Sequence, residues 1–235
     1  MGPTGPGTAP TRTCTEVEPI ANRGDFKVQT AKDGFKYWVR LPKGYDRKNP
    51  KPTKTIIGLH GCGDPAKNFI TWGIVPWETL ETSEHIGITV ETAGEPGCWQ
   101  GSDTPRVRAV LDDAAQCYFL DQQKIILAGY SSGGMTAYRL ALTESDRYAG
   151  FLAYKTSLSA TGEADKLIAG AKRKIPIVHL AGTSDGSFPI AVVRGDRDKL
   201  KNAGFPIELI EVAGGHNGES PEWKDKLLPK ATWSF

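Results

Sequence analysis

Gly129-Tyr130-Ser131-Ser132-Gly133 sets a serine between glycines where an apolar run, Ile125 to Ala128, meets a stretch with Met135, Ala137, Tyr138, Leu140 and Ala141 at helical spacing. A sharp turn at a strand-to-helix junction projects the serine Oγ over the sheet edge, and flanking glycines let neighbouring backbone pass close by. A serine hydroxyl attacks a carbonyl only when a base removes its proton, and an acid must hold that base in one tautomer. Of four histidines, His85 reads as the end of a helix, His179 as part of a strand and His60 as a strand-ending turn. His216 remains as the candidate base, in the Gly-rich segment Ala213-Gly214-Gly215-His216-Asn217-Gly218. Asp185, just past the apolar run Ile177 to Gly182, is the candidate acid. Asp196 and Asp198 compete with it but fall in a charge-rich helical stretch that reads as a solvated face. The backbone N–H groups of Cys62, in His60-Gly61-Cys62-Gly63, and of Ser132 are the candidate oxyanion donors.

Positioning these groups requires a sheet whose strands end on one edge. Short β-branched runs alternating with amphipathic stretches predict an α/β layered sandwich with a mostly parallel sheet. Eight strands are expected, at 26–30, 35–41, 55–60, 88–91, 124–130, 151–155, 177–182 and 207–212. The first two form an antiparallel hairpin through Asp33-Gly34. Helices are expected at 77–85, 104–119, 132–142 and 190–202, the second with Thr104 as its cap and Pro105 in its first turn. Residues 1–20, opening on a Gly-, Pro- and Thr-rich segment, read as a flexible leader or N-terminal arm, and 21–235 as one catalytic domain without internal repeats.

Lys and Arg number 29 against 27 Asp and Glu, a net formal charge of +2 that disfavours a nucleic-acid or anionic-lipid surface. No apolar run approaches the roughly 18 residues of a membrane span. The four cysteines, Cys14, Cys62, Cys98 and Cys117, show no metal-ligand spacing, and no metal or cofactor is expected. They are either reduced thiols of a cytosolic chain or two disulfides of an exported one. Parallel strands ending on one edge would put Cys62 and Cys98 in neighbouring loops, leaving Cys14 to Cys117, and the bonded reading is preferred. The start of the chain lacks a charged and then apolar secretory signal, so an exported protein would be represented in processed form.

Taken together, His60-Gly61-Cys62-Gly63, Cys98-Trp99, Gly129-Tyr130-Ser131-Ser132-Gly133-Gly134, Gly182-Thr183-Ser184-Asp185 and the late His216 resemble the secreted α/β-hydrolase esterases that include feruloyl and acetylxylan esterases and polyhydroxybutyrate depolymerases. The resemblance implies a three-layer α/β-hydrolase sandwich and a secreted carboxylic-ester hydrolase, with Ser131 as nucleophile, His216 as base, Asp185 as orienter and Cys62 as an oxyanion donor. The expected substrate is a small or polysaccharide-linked ester, feruloyl or acetyl, taken by a monomer in an open cleft. Trp99, Tyr130 and Trp72 are the candidate substrate-binding rings, with Phe69 and Trp77 in the same loops. Alternatives are a polyester depolymerase and a non-catalytic binding domain on the same scaffold.

Overall fold

The computed structural model describes residues 7–14, 16–19, 25–30, 33–231 and 233. Its strands are β1 (Glu16–Pro19), β2 (Asp25–Gln29), β3 (Lys36–Arg40), β4 (Thr53–Leu59), β5 (Ile86–Val90), β6 (Leu120–Tyr130), β7 (Gly150–Tyr154), β8 (Ile177–Gly182) and β9 (Ile207–Val212). They form one sheet in the order β1-β2-β3-β5-β4-β6-β7-β8-β9. The pairs β1–β2, β2–β3 and β3–β5 are antiparallel, and every pair from β5–β4 to β8–β9 is parallel. The expected hairpin is β2–β3, closed by the Thr30 N–H on Phe35 O at 2.7 Å with Gly34 at φ 68°.

The helices are α1 (Ala66–Phe69), α2 (Thr104–Cys117), α3 (Ser132–Thr143), α4 (Ala164–Gly170), α5 (Ile190–Asn202) and α6 (Ser220–Glu222). α1 runs on as a π-helical turn, Ile70–Ile74, and α6 as another, Trp223–Leu227. The parallel strands are apolar on both faces, so successive residues feed opposite cores. Ile57, Leu127, Phe151 and Ile177 pack with α2 and α3, while Ile56, Ile126, Leu152 and Val178 pack with Phe69, Trp223 and Leu227. Burial on both sides fixes the register, because a slip by one residue would exchange the two faces.

Among the described residues the sheet has nine strands, one more than the eight expected. β1 lies in the segment read as a leader and is four residues long with two glutamates and one non-proline apolar residue, Val17, too short and too charged for a strand pattern to stand out. The described part of that segment is held to the body. Thr11 and Arg12 donate backbone N–H groups to Gln116 O at 2.9 and 3.1 Å, and Cys14 is bonded to Cys117. The helix expected over 77–85 is only a 3₁₀ turn, Trp77–Thr79. There the Thr79 and Thr82 hydroxyls donate to the carbonyls of Pro76 and Thr79 at 3.0 and 3.3 Å, local bonds that compete with helix continuation. The N-cap position of α2 falls on Asp103 rather than Thr104, without a side-chain capping bond: after a 3₁₀ turn, Gly101–Asp103, the Asp103 carboxylate accepts the Gln100 N–H at 2.8 Å, and the Thr104 hydroxyl donates back to Gly101 O at 3.4 Å.

Candidate active site

Ser131 occupies the turn between β6 and α3 with φ 53° and ψ −121°, left-handed for a residue with a side chain. The surroundings enforce it. A Cβ at Gly129 would stand 2.7 Å from Gly133 O, one at Gly133 would overlap the carbonyl oxygens of Leu59 and His60, and one at Gly134 would lie 2.5 Å from Thr156 Cβ. Around the serine, its N–H donates to Tyr154 O at 3.2 Å and Thr156 Oγ1 donates to its carbonyl at 2.9 Å.

The structure brings the three sequence-predicted groups together from loops 85 and 31 residues apart. Ser131 Oγ lies 2.9 Å from His216 Nε2, and His216 Nδ1 lies 2.8 Å from Asp185 Oδ2. Asp185 is buried, and its Oδ1 accepts the N–H groups of Ser187 and Phe188 at 2.8 and 3.0 Å. With every neighbour donating to the carboxylate, Nδ1 carries the ring proton and Nε2 is the acceptor facing the serine hydroxyl. Such an arrangement can take a proton from Oγ and return it to a leaving group.

The other three histidines are used structurally. His179 is fully buried against the Tyr138 hydroxyl at 2.9 Å and His85 against Ile74 O at 3.0 Å; burial pushes each imidazole down to about 4. His60 Nδ1 donates to Gly61 O at 2.8 Å while Nε2 lies 3.2 Å from Glu95 Oε2. Asp196 is not on a solvated face: it is fully buried on α5 and accepts Ser157 Oγ at 2.6 Å, Ser159 N–H at 3.0 Å and Ser159 Oγ. A hydroxyl-rich loop after β7 folds over that helix and supplies the donors. Asp198 is exposed and paired with Arg197.

Of the candidate oxyanion donors, Ser132 follows the serine directly, and Cys62 follows Gly61, whose built Cβ comes near the serine. Ser132 opens α3, where the first N–H groups have no helical acceptor. The turn holding Cys62 packs against Tyr130 beside Ser131: a Cβ at Gly61 would stand 2.5 Å from the Tyr130 ring and 3.5 Å from Ser131 Cβ. Cys62 is bonded to Cys98, as the strand order suggests. Glu95, which no motif marks, completes this corner by accepting the N–H groups of Ala66 and Thr92 at 2.5 and 3.0 Å. Burial opposes its ionisation, but His60 and these amides hold the carboxyl below its ordinary range. A charged residue inside the tight Gly94-Glu95-Pro96-Gly97 turn is the signal that could have revealed it.

The candidate substrate rings fare differently. Trp99 is a core residue, 3% exposed and 5.5 Å from the His60 ring, because its large apolar ring is buried in the cluster on the α2 and α3 face, with its backbone N–H donating to Ser132 Oγ at 3.4 Å. Trp72 is partly buried, donating Nε1 to Asp64 Oδ2 at 2.9 Å with its ring edge-on to Tyr130 at 5.6 Å. Burial raises the Asp64 carboxyl despite that bond. Tyr130 stacks on His216 at 5.6 Å and donates its hydroxyl to His216 O at 2.8 Å; burial raises this phenol further above neutrality. Phe69 is buried beneath Trp72, and the side chain of Trp77 lies outside the described residues. Phe188, unmarked in the sequence, is half-buried with its ring 5.3 Å from His216. Cys14, Asp113 and Cys117 have ligand spacing, but the bond between the two cysteines removes the thiolates a metal would need.

The model of one family, described as phospholipase/carboxylesterase, matches residues 104–221, half of the chain and the part holding all three aligned side chains. The chain belongs to that family. The protein is thus a serine carboxylesterase of the α/β-hydrolase fold. The esterase is 24% identical over 234 residues to a probable feruloyl esterase C of Aspergillus terreus, covering 86% of this chain and 84% of that protein. It is 25% identical over 227 residues to feruloyl esterase D of Neurospora crassa, covering 90% and 74%. Among solved structures, a ferulic acid esterase superposes with a TM-score of 0.71 at 18% identity over 88% of this chain and 96% of that one, a match of fold.

Proposed function

We propose that the esterase is secreted and hydrolyses feruloyl or acetyl esters of plant polysaccharides through an acyl-enzyme on Ser131. The observation that carries the mechanism is the position of His216, within hydrogen-bond reach of both Ser131 and Asp185. Nε2 takes the hydroxyl proton as Oγ bonds to the ester carbonyl carbon, and the resulting oxyanion is held by the Cys62 and Ser132 N–H groups. Collapse breaks the carbon–alkoxy bond, and the alcohol leaves with the proton held on His216. Water then repeats the cycle, with the same base taking its proton, to release the acid and restore Ser131. Asp185 stays ionised and orients the ring. Since the base must be neutral, turnover falls in acid.

The feruloyl esterase relatives support the choice of ester, and the two disulfides support an oxidising compartment. A panel of methyl ferulate, acetylated xylan and a hydroxybutyrate oligomer, run with the wild type and Ser131→Ala, tests the reading. The expected outcome is cleavage of the first or second substrate and a loss on the order of 10⁶ in kcat for the variant. Preference for the oligomer would move the assignment to polyester hydrolysis. A Ser131 inert to an organophosphonate would overturn the mechanism.

A further inference from the structure

The loop bearing His216 is tied at its start by backbone: Ser184 N–H donates to Gly214 O at 2.9 Å, and a Cβ at Gly182 would stand 2.6 and 2.7 Å from the carbonyl oxygens of Gly214 and Gly215. Gly214 sits at φ 130° with open space for 4 Å around the place a Cβ would take, and Gly215 and Gly218 flank the histidine. Two side chains from below hold its backbone: the Tyr130 hydroxyl donates to His216 O, and Lys155 Nζ donates to Asn217 O at 2.6 Å. Lys155 directly follows β7, closing the apolar run Phe151-Leu152-Ala153-Tyr154, and its side chain is 1% exposed. Its φ is 41°, and Ser131 is the only other described non-glycine residue with positive φ.

A buried ammonium needs an anion, and Glu222 Oε2 supplies one at 2.8 Å. The same oxygen accepts the Tyr154 hydroxyl at 2.6 Å, and that hydroxyl accepts the Glu219 N–H at 2.8 Å. Lys155 and Tyr154 therefore grip the chain at 217, 219 and 222. A buried ion pair is weak support for stability, since apolar residues of similar volume often serve as well. A lysine kept in a strained backbone, with one bond spent on the carbonyl next to the base, has a geometric use instead.

We propose that Lys155, aimed by Glu222, is a positioning residue that holds His216 in line with Ser131, an inference that rests on the reading of His216 as the base. Its test uses p-nitrophenyl acetate, so that the identity of the natural ester does not enter. Lys155→Met is expected to lower kcat by about 10- to 100-fold, as displacement of a reacting group by about an ångström does. KM should stay within about twofold of wild type, because substrate contacts are untouched. The downfield proton resonance of the His216–Asp185 hydrogen bond should broaden or vanish while near-UV circular dichroism is retained, and Lys155→Arg should recover part of kcat. Should Lys155→Met fail to fold, Glu222→Gln carries the test, with a several-fold loss of kcat expected at constant KM. A folded Lys155→Met, or Glu222→Gln in its place, with wild-type kcat and an intact resonance overturns the positioning role. Turnover surviving in Ser131→Ala would overturn the mechanism itself, so the two failures are separable.

Discussion

The turn carrying Ser131 is fixed by steric contact at three glycines, whereas the loop carrying His216 is tied by backbone only where it begins, at Gly214 and Gly215, and beyond that by side chains that reach it from β6 and from the end of β7. In the first, glycines at 129 and 133 are pressed by Gly133 O and the Leu59 and His60 carbonyls, backbone contacts that no rotamer can relieve, and Gly134 by the Thr156 side chain. In the second, Tyr130 and Lys155 donate to two adjacent carbonyls of a Gly-rich segment. The Ser131 turn is therefore set by steric contact, while the far side of the His216 loop depends on a few hydrogen bonds, each contributing about 1 kcal/mol for neutral donors and more for the ammonium. Damage to the elbow should show first as loss of fold, and damage to the histidine loop as loss of rate.

The largest effect is expected from Gly133→Ala. Its methyl group would overlap two carbonyl oxygens of the neighbouring strand end, so chemical denaturation should show a loss on the order of 4 kcal/mol or more, or no folded protein. A stable, active Gly133→Ala would dissolve the contrast between the two loops. Next, removing the Cys62–Cys98 bond by a double serine substitution frees a closure of 36 residues and should cost about 4 kcal/mol in the chain-entropy model. Thermal melting measures that loss, and residual activity shows whether the bond braces the oxyanion turn as well as the fold.

Acid should act through the buried histidines. His85 and His179 titrate at about 4 in the folded chain against 6.5 when exposed, so the unfolded state binds protons that the native state does not. The stability they contribute is complete above about pH 6.5 and is lost as pH falls towards 4, by up to ~3 kcal/mol for each group. Melting temperatures measured from pH 7 to 4 should decline through that window, and a His179→Gln variant should decline less steeply. The smallest effect is expected from Tyr130→Phe, which deletes the hydroxyl on His216 O. It should cost about 1 kcal/mol in the barrier, a several-fold drop in kcat, with little change in melting temperature. A larger fall in stability than in rate would place Tyr130 with the elbow rather than the loop.

Much of the architecture was legible because its signals are local. The apolar runs at 177–182 and 207–212 coincide with β8 and β9, and helix α5 matches its expected bounds. Elements with weak periodicity were not legible. α1 and its π-helical extension hide among Pro65, β-branched residues and Gly73, and α4 is only seven residues long. Charge was misleading for Asp196, since a charged helix in the sequence gives no hint that one of its carboxylates points into a ring of serine donors.

The order serine, aspartate, histidine, each just past an apolar run, is written in the chain, because strand ends and turn glycines are set by nearest neighbours and by the two-residue alternation of a pleated sheet. Which groups finally touch depended on contacts between segments far apart in sequence. Trp99 packed into the core beside the ring of His60, and Lys155 found its partners at 217 and 222 across the sheet edge. Composition and spacing contain no record of such distances, since burial and the direction of a side chain are settled only when the layers close and each buried polar group must find its partner.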